Sequence, residues 1–377
     1  MNFDVIVIGA GAAGAAAAYE LAREGRVCIL EREPLPGVHA TGRSAALFAP
    51  SYGGTEVRAL TRASRSFFET PPEGFTSVRL LTPRGCLYVA RNDQAERLAA
   101  MVESVRRSGG SLVEATAAEA RACVPLLRPG YVAAAALDRG AMDIDVDALH
   151  QGFLRGARAL GAVLRTSVEI RHAQWREGGW RLELDGDEVS APVVINAAGA
   201  WADEVAQLFG AAQLGLVPMR RTALVVEAPA GIDVRAWPTV MDADENFYCK
   251  PDTGQLLLSP ADETPDVPGD AQATELDVAI GVDRVQAALD LPVRQIRRSW
   301  AGLRTFAPDR IPVLGFDPAT PGFFWCVGQG GYGIQTAPAM GRATAALATG
   351  RTLPADIQHE GLEATSLSPE RFARPAG

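Results

Sequence analysis

Histidine, cysteine, aromatic residues and long apolar runs are all scarce in this chain of 377 residues. The four histidines (His39, His150, His172, His359) are too dispersed for a metal site. His150 lies on an amphipathic helix and reads as structural. The five cysteines (Cys28, Cys86, Cys123, Cys249, Cys326) are odd in number and contain no CxxC pair. That argues against a disulfide framework or zinc site and for reduced thiols in a cytoplasmic protein. No apolar run approaches the ~20 residues that span a bilayer, so no transmembrane segment is expected; peripheral membrane association stays open. Basic runs are missing too, none exceeding a pair such as Arg220-Arg221 or Arg297-Arg298. With a net charge of −9 and a pI near 5.1, nucleic acid is excluded as a partner. Met1-Asn2-Phe3-Asp4 leads straight into a core strand, without a signal-peptide pattern. At 47% hydrophobic residues and a mean hydropathy of +0.04, the composition is that of a globular protein large enough for two domains.

Glycine is where the information lies. Phe3 to Ile8 reads as a buried parallel strand running into Gly9-Ala10-Gly11-Ala12-Ala13-Gly14, followed by an alanine-rich helix, Ala15 to Arg23. A second strand, Arg26 to Leu30, ends on Glu31. Gly9 suits a tight turn, Gly11 an approaching pyrophosphate, and Gly14 close helix–strand packing. Phosphates would rest on the helix N-terminus, and Glu31 would reach ribose hydroxyls. An acid at that position favours NAD or FAD over NADP.

Further along, Gly37 to Tyr52 reads as a loop with a short helix, and Thr55 to Phe68 as an amphipathic helix. Strands are expected at Arg79–Leu81, Cys86–Ala90, Tyr131–Leu137, Val163–Ile170, Trp180–Leu184 and Val189–Ile195. Helices are expected at Asp93–Arg107, Glu114–Cys123, Asp145–Leu160 and Glu275–Leu289. Arg221–Ala228, Asn246–Lys250 and Gln255–Ser259 alternate like sheet strands. The pattern predicts an α/β (α+β two-domain) fold. A Rossmann-like domain, discontinuous over 1–50, 145–215 and 305–367, would be interrupted by a sheet-rich substrate domain over 51–144 and 216–304. The tail, 368–377, is expected to fray.

Val193 to Ala202 repeats the theme of an apolar strand ending in small residues. A third cluster, Gly328-Gln329-Gly330-Gly331-Tyr332-Gly333, follows the strand Phe323–Val327 and opens a helix from Ile334 through Leu347. Two strand–loop–helix units far apart in the chain suggest a ligand with two polar ends. FAD has them, in its pyrophosphate and its flavin edge.

These segments together resemble the D-amino-acid oxidase superfamily, the glycine/sarcosine oxidase type of FAD-dependent oxidoreductase. The resemblance rests on Leu30-Glu31-Arg32-Glu33, Thr41 to Ala46, Asp147 to Gly152, Asn196 to Trp201, Arg220-Arg221, Phe247-Tyr248, Trp300 to Arg304 and Gln329 to Thr336. Within that group it is most similar to the D-arginine dehydrogenase type of broad-range D-amino-acid dehydrogenase. The resemblance implies non-covalent FAD held by Gly9, Gly11, Ala13, Gly14, Glu31, Arg32, Gly42, Arg43, Ser44, Ala45, Ala46 and Val168. Ala198, Gly199, Trp201, Gly302, Arg304, Gly330, Gly331, Tyr332, Gly333, Ile334, Gln335 and Thr336 complete that set. It also implies a carboxylate clamp of Arg221 and Arg304, phenols from Tyr248 and Tyr52, and a Gly331 carbonyl receiving the substrate amine. A guanidinium fork offsets the several kcal/mol that desolvating a carboxylate costs.

The activity implied is oxidation of D-amino acids by hydride transfer from Cα to flavin N5, yielding 2-oxo acids and ammonia. The partners would be a small amino-acid substrate and an electron acceptor, quinone or O2. An O2-using oxidase, a 2-hydroxy acid or N-methyl amino acid enzyme, and a flavoprotein without turnover are the alternatives. Two residues depart from relatives that prefer cationic substrates: Cys86 stands in place of a carboxylate and Leu47 in place of a histidine. Both point to smaller or more hydrophobic D-amino acids.

Overall fold

The computed structural model describes residues 1–372. Its organising element is a six-stranded sheet in the order Val313–Phe316, Phe323–Val327, Val193–Asn196, Val5–Ile8, Val27–Leu30, Val163–Arg165. Val5–Ile8 is central and runs parallel to both neighbours, with Val5 opposite Val193 and Val27. Being covered on both faces explains its unbroken β-branched sequence. Strand alternation divides the work. Val5, Val7, Val27 and Ile29 pack under the helices Ala12–Leu21, Val146–Ala159 and Gly333–Ala348. Ile6, Ile8, Cys28 and Leu30 pack on the other side. They face a three-stranded antiparallel sheet (Ile170–Arg176, Gly179–Leu184, Asp187–Ala191) and the helix Ala202–Leu208.

The second unit is a nine-stranded sheet. Along it lie Thr264–Pro265, Val217–Val226, Gln255–Ser259, Tyr248–Asp252, Thr239–Asp242, Cys86–Ala90, Ala134–Asp138 and Val113–Ala115; Ile296–Phe306 also pairs with Val217–Val226. A small sheet (Leu47–Phe48, Met142–Ile144, Leu81–Pro83) lies beside the loop that follows the first unit's second strand. Among the described residues, no helix is long and apolar enough to cross a membrane.

Several sequence expectations differ from the structure. Gly37 to Tyr52 contains turns and the two-residue strand Leu47–Phe48, with no helix. Its small residues follow the contour of a cavity instead. The helix Thr55–Glu69 packs Ala59, Leu60, Ala63 and Phe68 into the core beneath the first sheet, although it falls inside the span assigned to the substrate domain. Glu114–Cys123 divides into the strand Val113–Ala115 and the helix Ala117–Cys123, because Thr116 and Glu119 form a capping box. The strand expected at Arg79–Leu81 lies at Leu81–Pro83, and that at Tyr131–Leu137 lies at Ala134–Asp138. Within the stretch expected to fray, Pro369–Phe372 forms a 3-10 turn in which Arg371 donates to Asp309 (2.7 Å) and to the carbonyl of Ile311 (2.7 Å). The rest of the expected tail, 373–377, lies outside the described residues.

Candidate active site

The nucleotide loop is built from backbone. Gly9 takes φ +97°, which an L side chain rarely adopts, and a Cβ there would stand 2.5 Å from the Ala197 carbonyl oxygen. A Cβ on Gly14 would lie 1.9 Å from the Gly9 oxygen, so strand and helix approach as closely as backbone permits. Glu31 accepts from the amides of Ala10 (2.9 Å) and Glu33 (2.9 Å), fixing the loop to the second strand. The amide of Ala12 donates to Thr41 Oγ1 (3.0 Å), while those of Gly11 and Ala13 have no hydrogen-bonding partner among the described residues. Such free amides at a helix N-terminus suit a phosphate.

His150, buried, donates from Nε2 to the Ala10 carbonyl (2.7 Å), and its ring blocks the space a Cβ on Gly37 would need. Burial pushes its pKa below 6.5, outweighing the Ala10 hydrogen bond and the nearby carboxylates. The ring is therefore neutral when folded, and unfolding takes up a proton once the pH falls below about 6.5. His150 thus favours unfolding as the solution is acidified. His150→Gln keeps a donor for Ala10 and is expected to show a shallower loss of Tm between about pH 8 and about pH 5.5 than the native protein. Parallel Tm–pH curves would refute that role.

A cavity of about 490 Å³ runs from this loop to the face of the large sheet. Around its first end stand Gly9, Gly11, Ala13, Glu31, Arg32, Val168, Ala198, Gly199 and Trp201. The amide of Val168 donates to the Glu31 carbonyl (3.0 Å), leaving only its own carbonyl for a ligand. His39 meets Trp201 in a tilted contact at 4.7 Å, and Arg32 lies 5.1 Å over the same ring. Arg43, Ser44 and Ala45 flank the middle. Arg43 spends its guanidinium on protein, donating to the carbonyls of Val38 (3.1 Å), Ala271 (2.8 Å) and Ala301 (3.0 Å) and pairing with Asp270. It thereby fastens the loop carrying Gly269 and Ala271, which also lines the cavity.

The far end is set by strand register. Val217–Val226 pairs antiparallel with Ile296–Phe306, placing Arg221 opposite Gly302 and Met219 opposite Arg304. Alternation puts Arg221 and Arg304 on one face as diagonal neighbours, within reach of each other's long side chains. Tyr248 projects from that face two strands away. Lys250, the chain's single lysine, shares it and donates to the Ala45 carbonyl (2.9 Å) and to Asp143 (2.6 Å), tying the sheet to the middle of the cavity.

Arg221 and Arg304 differ. Arg221 donates Nε to the Asp262 carbonyl (2.8 Å) and Nη2 to Glu263 (3.0 Å), leaving Nη1 free. Arg304 has no hydrogen-bonding or ionic partner among the described residues, and Gly331 lies so close that a Cβ there would stand 2.7 Å from its Nη1. Gly302, Gly330, Gly331, Gly333 and Ile334 complete this end. The Tyr52 hydroxyl donates to Glu245 (2.9 Å), and its ring meets Tyr332 edge-on at 5.0 Å. Burial, reinforced by Glu245, pushes the Tyr52 phenol well above its ordinary pKa, so it stays protonated.

Seven expected site residues do not line the cavity. Gly14 faces the Gly9 carbonyl, and Gly42 the Gly37 carbonyl, 2.7 Å from where its Cβ would be. Ala46 packs against the core. Tyr52 and Tyr332 pair with each other outside the cavity wall. Gln335 and Thr336 sit one turn into the helix, where they bond to the Ala49 amide (3.0 Å) and the Tyr332 carbonyl (2.9 Å). Sequence reasoning missed His39, Gly269, Ala271, Glu245 and Glu263. Only His39 carried a signal, standing between Gly37 and Gly42 in a segment of small residues.

Comparison with known proteins agrees with this architecture. A family model described as "DAO: FAD dependent oxidoreductase" matches residues 4–347. Glycine oxidase of Geobacillus kaustophilus is 26% identical over 355 residues, covering 92% of this chain and 93% of that protein. Human mitochondrial dimethylglycine dehydrogenase is 25% identical over 364 residues, 90% of this chain but only 42% of its own length. The crystal structure of the Geobacillus glycine oxidase superposes with a TM-score of 0.85 at 24% identity, covering all of both chains. An L-proline dehydrogenase structure from P. horikoshii gives a TM-score of 0.82 at 21% identity, over 98% of this chain and 97% of that one.

Proposed function

The chain belongs to the DAO family of FAD-dependent oxidoreductases, and from that premise we propose that it oxidises small D-amino acids to 2-oxo acids and ammonia, as a dehydrogenase. The observation carrying this reading is Arg304, a guanidinium without a partner among the described residues, at the cavity end opposite the glycine loop. A cation so placed calls for an anionic ligand.

Gly9, Gly11, Ala13 and Glu31 would hold the dinucleotide, and Ser44, Ala45, Gly330 and Gly331 its flavin end; the free amides and side-chain-free backbone fit that group. When bound, FAD supplies the two-electron acceptor for the hydride leaving the substrate Cα. Arg304 takes the carboxylate with its fork, Arg221 adds Nη1, and Tyr248 closes the same face. Together they fix the Cα against the middle of the cavity. The Gly331 carbonyl receives the amine. Tyr52 lies outside the cavity wall with its hydroxyl given to Glu245, so it supplies the substrate with neither a donor nor a base. The substrate must therefore present a neutral amine, its proton passing to solvent before oxidation. The imino acid then hydrolyses to the 2-oxo acid and ammonia. Cys86, buried and uncharged, offers nothing to a cationic side chain.

Similarity to glycine oxidase along 93% of that enzyme's length favours a second reading, an O2-using oxidase of the same substrates. An anaerobic titration of the FAD-loaded protein with a panel of D- and L-amino acids, followed by admission of air, separates the two. Bleaching by small D-amino acids that survives in air is the expected result. Rapid recolouring would establish the oxidase, and no bleaching by any amino acid would overturn both.

A further inference from the structure

Arg221 is linked through Glu263 to a third guanidinium, Arg310, which is exposed and stands behind the cavity wall. It stands over the Phe306 ring at 4.0 Å, on a backbone held at φ +63°. Its Nη2 donates to both carboxylate oxygens of Glu263 (2.8 and 2.9 Å), the same group that takes Arg221 Nη2 at 3.0 Å. Burial raises the Glu263 carboxyl, but Arg310, Arg221 and Arg304 outweigh it and hold the group below its ordinary range. Glu263 is therefore ionised at neutral pH. A further carboxylate acting on Arg304 and Arg310, that of Glu245, is exposed and engaged by Tyr52. Glu263 thus occupies Arg310 and one edge of Arg221, and Arg304, without a hydrogen-bonding or ionic partner among the described residues, is left to match one substrate carboxylate.

We propose that Glu263 is a specificity-determining residue that restricts the site to substrates with a single carboxylate, by occupying Arg221 and Arg310. The proposal rests on reading the far end of the cavity as the carboxylate site. A second carboxylate on the substrate would have to displace Glu263 from both guanidiniums or lie unpaired beside it, and like charges at that range repel. Making Glu263 neutral should free Arg310 and the second edge of Arg221 for a second carboxylate. Glu263 touches no expected reacting atom; it works through the arginines it holds.

The test is a titration of the FAD-loaded protein with acetate and with malonate at constant ionic strength, read by perturbation of the flavin absorbance. In Glu263→Gln the affinity for malonate relative to acetate should rise about tenfold or more over the native ratio. In Arg310→Met the ratio should stay near native, and adding Arg310→Met to Glu263→Gln should abolish the gain. A ratio unmoved in Glu263→Gln, or a gain that survives in the double variant, would overturn the inference. If the native protein still oxidises amino acids in that case, only the role of Glu263 fails. Native protein that binds neither anion overturns the inference together with the carboxylate-site reading.

Discussion

Arg304→Met is expected to lower kcat/KM for amino-acid oxidation by about 10²–10³-fold, the effect of removing one member of a desolvated charge pair. The same substitution should leave Tm unchanged or higher. Arg304 makes no hydrogen bond or ion pair among the described residues, so its replacement breaks no direct protein contact, and an apolar residue of similar length fills its place. A residue that merely held the fold together would lose stability and activity together. Separate movement of the two marks a ligand-binding group. Steady-state kinetics and thermal melts of the FAD-loaded variant provide the check, with flavin content measured to confirm loading. Activity within tenfold of native would remove Arg304 from the clamp.

Gly14→Val should yield protein that retains little or no FAD. The Cβ alone would stand 1.9 Å from the Gly9 oxygen and 3.3 Å from Val7 Cγ1. Neither neighbour can yield, because Gly9 is itself wedged against the Ala197 carbonyl and Val7 lies in the central strand. Overpacking of a well-filled core costs about 1–3 kcal/mol, and here the strain falls on the turn whose amides face the cavity. Gly11→Ala is the informative comparison. Its added Cβ meets only the Thr41 hydroxyl, at 3.3 Å, and the expected loss of flavin is much smaller. The flavin-to-protein absorbance ratio after purification measures both; full flavin occupancy in Gly14→Val would refute the packing argument.

Much of the first unit was legible because its signals are local. A β-branched strand, a glycine turn, an alanine helix and a closing Glu31 lie within about thirty residues, and each constrains the backbone directly. Arg221 and Arg304 were nameable as residues, yet their different states were not. Glu263 claims one edge of Arg221 directly, whereas Arg304 meets the Gly331 backbone and makes no direct hydrogen bond or ion pair among the described residues. Arg43 shows the opposite case. It sits in a segment that resembles a flavin-lining loop, but Asp270 and the carbonyls of Ala271 and Ala301, all distant in sequence, together with the nearby Val38 carbonyl, consume its donors.

By itself the sequence determined the nucleotide-binding unit, its central parallel strands and the residue types available for a carboxylate site. Those follow from hydrophobic periodicity and from glycines whose backbone conformations few other residues adopt. Tertiary structure alone decided which charges stay free, which phenols face the cavity and which loop covers it. Charge neutralisation depends on groups brought within a few ångströms by strand register and loop closure, over separations of tens to hundreds of residues. No periodicity along the chain encodes such distances.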